Sequence, residues 1–105
     1  MAKIIQASVT ISSDGEVVTV FAEPTPPYWT ADPCADCLVA VLRETDGECG
    51  RETGKIAGIE IIGLKDFTQW DEIPDLPGLW QIGGAEPLPI KELLKKIQSS
   101  LRPRP

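Results

Sequence analysis

Cys34-Ala35-Asp36-Cys37, followed later by Cys49, is the stretch of this sequence whose residue types and spacing come nearest to reactive chemistry. Two thiols separated by two residues can chelate Zn²⁺ or cycle between dithiol and disulfide. Three thiols leave a tetrahedral zinc site one ligand short, so a fourth would have to come from Asp36, Glu48 or a second chain. A thioredoxin-like site also wants a helix after the first cysteine, where these residues read as a strand. The plainer reading makes Cys37 a small buried hydrophobe at a strand start and leaves Cys34 and Cys49 in loops. Cys34, Cys37 and Cys49 are the candidate thiol site on the first reading and packing residues on the second. An odd cysteine count speaks against a structural disulfide framework.

The rest of the chemical inventory is thin. Histidine is absent, which removes the commonest general acid-base group near neutral pH, the usual partner of a Ser or Cys nucleophile, and the commonest metal ligand. Asp32, Asp36, Asp46, Glu48 and Glu52 are acids of the type that holds Ca²⁺ or Mg²⁺ through oxygen, but their spacing matches no calcium loop, and turn chemistry and solubility account for them. Gly58, Gly63, Gly78, Gly83 and Gly84 form neither a phosphate-binding loop nor a dinucleotide fingerprint. The residues therefore assign no catalytic group, no cofactor and no metal, and favour a role other than catalysis.

Tyr28-Trp29, Trp70 and Trp80, together with Phe67, could form an aromatic platform for a sugar ring or a proline-rich partner. Such residues also close the exposed end of a small core or line a subunit interface. Tyr28, Trp29, Trp70 and Trp80 are accordingly the interaction candidates.

Charge narrows the partners. Ten Lys plus Arg against sixteen Asp plus Glu give a formal charge of -6, which repels nucleic acid and anionic membrane alike. The basic residues gather only at Lys91, Lys95, Lys96, Arg102 and Arg104, which reads as a solvated helix flank. Polar Gln6, Ser8 and Thr10 interrupt any apolar run after Lys3, so neither an export signal nor a membrane span is expected, and a reducing cytoplasm is the expected location.

These residues must be positioned by one small core, since 105 residues is the length of a single domain that can stand without crosslinks. Asp14-Gly15 between two alternating apolar runs has the composition of a two-residue type I′ hairpin turn. It predicts that residues 4–12 and 16–22 pair, with Ile11 opposite Val18, Val9 opposite Val20 and Ala7 opposite Ala22. Residues 23–33 hold four prolines, which cannot donate to a ladder, and read as a connecting loop. Residues 37–43 and 55–63 read as buried strands, the second with Gly58 as a bulge. Phe67, Trp70 and Ile73 allow one or two helical turns that stop before Pro74, and a short strand fits at 79–82. Ile90, Leu93, Leu94, Ile97 and Leu101 define an amphipathic C-terminal helix with Pro89 at its first turn.

Asp32-Pro33-Cys34-Ala35-Asp36-Cys37-Leu38 and Gly54-Lys55-Ile56-Ala57-Gly58-Ile59-Glu60-Ile61 resemble the two motifs of domain of unknown function family 2283. Asp32, Asp36, Gly58 and Glu60 are the matching positions, within a stretch covering residues 32–61. The resemblance implies that the aspartates order a turn into a strand and that the Gly-Ile-Glu-Ile run is a core strand of a small antiparallel sheet. It implies no activity.

The expected architecture is a single α+β domain over residues 1–101, a four- to five-stranded antiparallel meander with the C-terminal helix across one face, and a disordered tail at 102–105. Ile5, Val9, Ile11, Val18, Val20, Leu38, Val39, Val41, Ile59, Ile61, Leu94 and Ile97 are the expected core. The expected function is a non-catalytic, self-associating protein-protein interaction module, because catalytic residue types are sparse and small sheets leave edges to be covered. The alternative is a thiol-dependent redox or metal-binding protein using Cys34 and Cys37.

Overall fold

A computed structural model describes residues 3–48 and 50–101 of the chain. The expected tail at 102–105 and the thiol of Cys49 lie outside the described residues. Strands β1 (Ile4–Ile11) and β2 (Val17–Ala22) form the predicted hairpin in the predicted register. Its turn differs from the expected type I′. Gly15 has positive φ (75°) but Asp14 does not, whereas type I′ needs both central residues there. A longer loop closes instead through Ser12 N–H to the Val17 carbonyl and Gly15 N–H to the Ser12 carbonyl, both 2.9 Å. The Asp14 carboxylate accepts from the Ser12 hydroxyl (2.6 Å) and the Glu16 N–H (3.0 Å), which hold its pKa below the ordinary value.

Four more strands follow: β3 (Trp29–Cys34), β4 (Val39–Thr45), β5 (Glu52–Ile62) and β6 (Leu79–Ile82), then helix α1 (Ile90–Leu101). The fold is α+β, as expected, but the sheet has six strands in the order β3-β4-β5-β2-β1-β6, above the four to five expected. It is mixed rather than a pure meander, because β6 returns to lie parallel to β1, with Ile5 beside Trp80. The two one-turn 3-10 helices at Leu64–Asp66 and Trp70–Glu72 are the helical turns anticipated before Pro74.

β3 occupies residues that the prolines suggest are loop. Its ladder with β4 explains the exception. The Thr45 N–H donates to the Tyr28 carbonyl (3.1 Å), and alternation along an antiparallel pair then turns the backbone groups of Thr30, Asp32 and Cys34 toward β4. Those of Trp29, Ala31 and Pro33 point outward. Pro33 thus sits where no sheet partner needs its N–H, one of the few kinds of strand position that accept proline. Pro24, Pro26 and Pro27 do form the connector, with a cis bond at Glu23-Pro24.

One face of the sheet carries the core. Val18, Ile61 and Val39 form one cross-strand row, and Val20, Ile59 and Val41 the next, all buried. Leu64, Phe67, Ile73, Trp80, Ile90 and Leu94 complete one cluster with Val18, Val20, Val39, Ile59 and Ile61. Ile11 departs from the expected core and is 45% exposed, because β6 runs beside β1 only from Ile4 to Ala7 and leaves the hairpin end uncovered. α1 buries Gln98 while Ile97 is only partly covered. Gln98 Nε2 donates to the carbonyls of Leu64 and Phe67, each at 2.8 Å, and so ties the helix to the first 3-10 turn.

Gly58 lies where β5 passes under β2. The bulge in β5 falls beside it, at Ala57, since Leu42 pairs with Gly58 and Arg43 already pairs with Ile56. A Cβ at residue 58 would run into the Val20 carbonyl oxygen, which is backbone in the middle of the sheet. Gly58→Ala is expected to destabilise the fold by on the order of 3 kcal/mol in urea denaturation, through forced displacement of the β2 backbone. Gly84→Ala, with no atom within contact range of the added carbon, is the control expected to stay within about 0.5 kcal/mol of the parent.

Candidate functional site

The thiol pattern lies in the β3–β4 turn. Ala35, Asp36 and Cys37 all have left-handed backbone conformations, with φ of 53°, 57° and 65°, and each costs an L-residue about 1–2 kcal/mol. Leu38 N–H donates to the Ala35 carbonyl at 3.1 Å, and Ala35 is buried with Cys34 and Leu38 packed against the core. Packing on both sides of the turn therefore holds the unfavourable backbone in place. For the same reason β4 begins at Val39 rather than at residue 37, since Cys37 and Leu38 belong to the turn.

This geometry separates the two thiols. Cys34 is half-buried at the end of β3, and Cys37 is exposed. Burial first, then the nearby carboxylates of Asp32 and Glu72, push the Cys34 thiol pKa above its ordinary value, the opposite of what a nucleophilic or metal-binding cysteine needs. No helix follows Cys34 to lower it. Among the described residues, no three Cys, Asp or Glu side chains converge as metal ligands.

The acids that looked like hard-cation ligands are spread along strands and turns. Asp32 pairs with Arg43 (3.0 Å), which also reaches Glu52 (3.7 Å). Asp46 accepts from the Arg51 N–H at 3.3 Å across its own turn. Of the four motif positions singled out in the sequence, Asp32 is on β3, Asp36 in the left-handed turn, and Gly58 and Glu60 on the central strand β5.

The aromatic candidates part company. Trp80 is fully buried and belongs to the core. Trp70 is half-buried, stacked edge-on against Phe67 at 5.0 Å with the Lys95 ammonium 5.5 Å from its ring centre. Tyr28 and Trp29 remain on the surface, 56% and 43% exposed, at the start of the edge strand β3. Trp29 lies on the face opposite α1, and its ring meets Phe21 edge-on at 5.6 Å. Phe21, Gly58, Leu42 and Ala31 are one cross-strand row, so the missing side chain at Gly58 leaves the rings room to meet. The Tyr28 ring lies against Gly47, where a Cβ would strike it. Pro27, Tyr28, Trp29, Thr45, Gly47 and Gly50 line a shallow groove of about 320 Å³.

A larger cleft of about 530 Å³ opens at one end of the sheet, between Lys3 just before β1, Gln6 of β1, Glu23 and Pro24 after β2, and Lys55 of β5. Its charges are of mixed sign, and Glu23 accepts from the Ser8 hydroxyl at 2.6 Å.

The two sheet edges are unlike. At β6 the chain covers its own edge: Trp80 and Leu88 exchange backbone hydrogen bonds of 2.7 and 3.0 Å, and the Ile82 carbonyl accepts from the Ala85 N–H at 3.0 Å. At β3, among the described residues, no strand lies outside, and Trp29 through Pro33 are all exposed. Sequence reasoning missed this edge because four prolines hid the strand. The signal that could have found it is the alternation Trp29, Ala31, Pro33, with proline on the outward phase.

Comparison with known proteins gives no match to a family model, to a curated sequence or to a solved structure. Among the described residues no helix is long and apolar enough to cross a membrane.

Thiol titration with an aromatic disulfide, in a Cys49→Ser background, checks the site electrostatics. Cys37 is expected to react first. Cys34 reacts more slowly at neutral pH, because its raised pKa keeps it protonated, and accelerates only as pH climbs past the ordinary thiol range. Equal rates, or a faster Cys34, would contradict the assignment.

Proposed function

We propose that this chain is a non-catalytic protein-protein interaction module that self-associates. The observation that carries the reading is the asymmetry of the sheet: one edge is covered by the chain itself, and the other is an exposed strand beginning with Tyr28 and Trp29. Exposed strand edges are templates for pairing with another chain, and exposed Tyr and Trp are the residues most enriched where interfaces form. The formal charge of -6 supports a protein rather than a nucleic acid as partner, and a cytoplasmic setting belongs to the same proposal. The resemblance to family 2283 is kept as a proposal of kinship over residues 32–61 and adds no activity.

The alternative, a redox or metal role for Cys34 and Cys37, finds no support in the raised thiol pKa or in the packing of the turn. Native mass spectrometry of the protein purified under reducing conditions without chelator decides between the two. The expected spectrum is a metal-free dimer. A monomer throughout the micromolar range would overturn self-association, and one zinc per chain that disappears with Cys37→Ser would establish the alternative.

A further inference from the structure

We infer that two copies of this chain join through β3 in an antiparallel, two-fold symmetric pair centred on Ala31, which extends the sheet continuously across both chains. The inference rests on the self-association proposed above and specifies its geometry.

The outward-facing backbone groups of β3 belong to Trp29, Ala31 and Pro33, by the alternation that the Thr45–Tyr28 bond fixes. A two-fold axis through Ala31 sets Ala31 opposite itself, Trp29 opposite Pro33 of the other copy, and Thr30 opposite Asp32. In that register the two Ala31 residues exchange both of their hydrogen bonds. Each Trp29 N–H donates to the Pro33 carbonyl across from it. Pro33 has no N–H to offer, so its own position is the weak point of the ladder, but its carbonyl is used.

Side chains agree with the same axis. Trp29, Ala31 and Pro33 lie on the face away from α1, so an indole stands opposite a proline ring at both ends of the pair. Thr30 and Asp32 lie on the other face, and each carboxylate meets a hydroxyl rather than a second carboxylate. Like charges directly opposite one another are destabilising in a sheet, and this register has none. Sliding the axis to the Asp32 position would set the two aspartates face to face and would also present the inward-bonded groups of the strand.

The asymmetry of the edges sets the stoichiometry. Because Trp80 and the Ile82 carbonyl are already engaged by Leu88 and Ala85, β3 is, among the described residues, the strand left open along its whole length, with β1 bare only from Ser8 to Ile11 beyond β6. An isologous contact of this kind closes at two copies, whereas two open edges would propagate a filament. Pro33 shortens the edge without closing it.

Sedimentation equilibrium of the full chain and two variants tests the inference. Ala31→Pro removes an N–H that points outward and no ladder bond to β4, and is expected to weaken dimerisation by about tenfold or more while the far-ultraviolet circular dichroism stays unchanged. Pro33→Val supplies the missing outward N–H, keeps an apolar side chain opposite Trp29, and is expected to tighten the dimer by about fivefold or more. Should Ala31→Pro fail to fold, Pro33→Val carries the test alone. A dimer whose Kd ignores Pro33→Val, and Ala31→Pro where that variant folds, overturns the β3 register and leaves self-association standing through another surface. A monomeric parent protein overturns both.

Discussion

The pairing of β2 with β5 puts Val18 opposite Ile61 and Val20 opposite Ile59, and the remainder of the molecule is arranged around that register. Side chains alternate between faces with a period of two, so a slip of one residue would carry the buried valines and isoleucines to the open side and bring Thr19 and Glu60 under the helix. Two features hold the register. The hairpin loop at Ser12 to Val17 fixes how β2 leaves β1, through hydrogen bonds that include the Asp14 carboxylate. Gly58 admits the Val20 backbone at a distance that no other residue type permits. With this pair in place, β4 adds Val39 and Val41 to the same rows, and α1 brings Ile90 and Leu94 into one cluster with Val18, Val20, Val39, Ile59 and Ile61.

A sheet covered on one face by a single helix must also resolve its edges. The chain does this once, by folding the segment around Leu88 back along β6. It leaves β3 bare, with its hydrogen-bonding groups satisfied by water or by another chain. The strained turn at Ala35 to Cys37 belongs to the same region. It reverses the chain sharply enough to bring β3 alongside β4, and it leaves Cys34 packed, with its thiol pKa raised by burial.

Local chemistry was legible in the sequence where it acts through neighbours along the chain. The β1–β2 register, the short strand at 79–82, the turns before Pro74 and the C-terminal helix all follow from alternation, helical periodicity or proline placement. Features set by distant partners were not. β6 lies parallel to β1 because the chain crosses back from residue 62 to 79, which no local pattern encodes, and Trp80 is carried into the core by that crossing. Gln98 is buried by its hydrogen bonds to the Leu64 and Phe67 carbonyls, more than thirty residues away along the chain. β3 was hidden because proline is judged by its missing donor, and only the sheet order shows that Pro33 has no donor to lose. Tyr28 and Trp29 were among the four aromatic candidates, but the structure alone separates them from the buried Trp80.

Amide hydrogen exchange of the unmodified protein, followed residue by residue at several concentrations, bears most directly on whether β3 is an open edge that a second copy fills. The expected result is that Thr30 and Asp32, bonded inward to β4, are protected at every concentration. Trp29 and Ala31 exchange freely when dilute and become protected as concentration rises. Exchange at Trp29 and Ala31 that is fast and independent of concentration, while the inward amides stay protected, would contradict it.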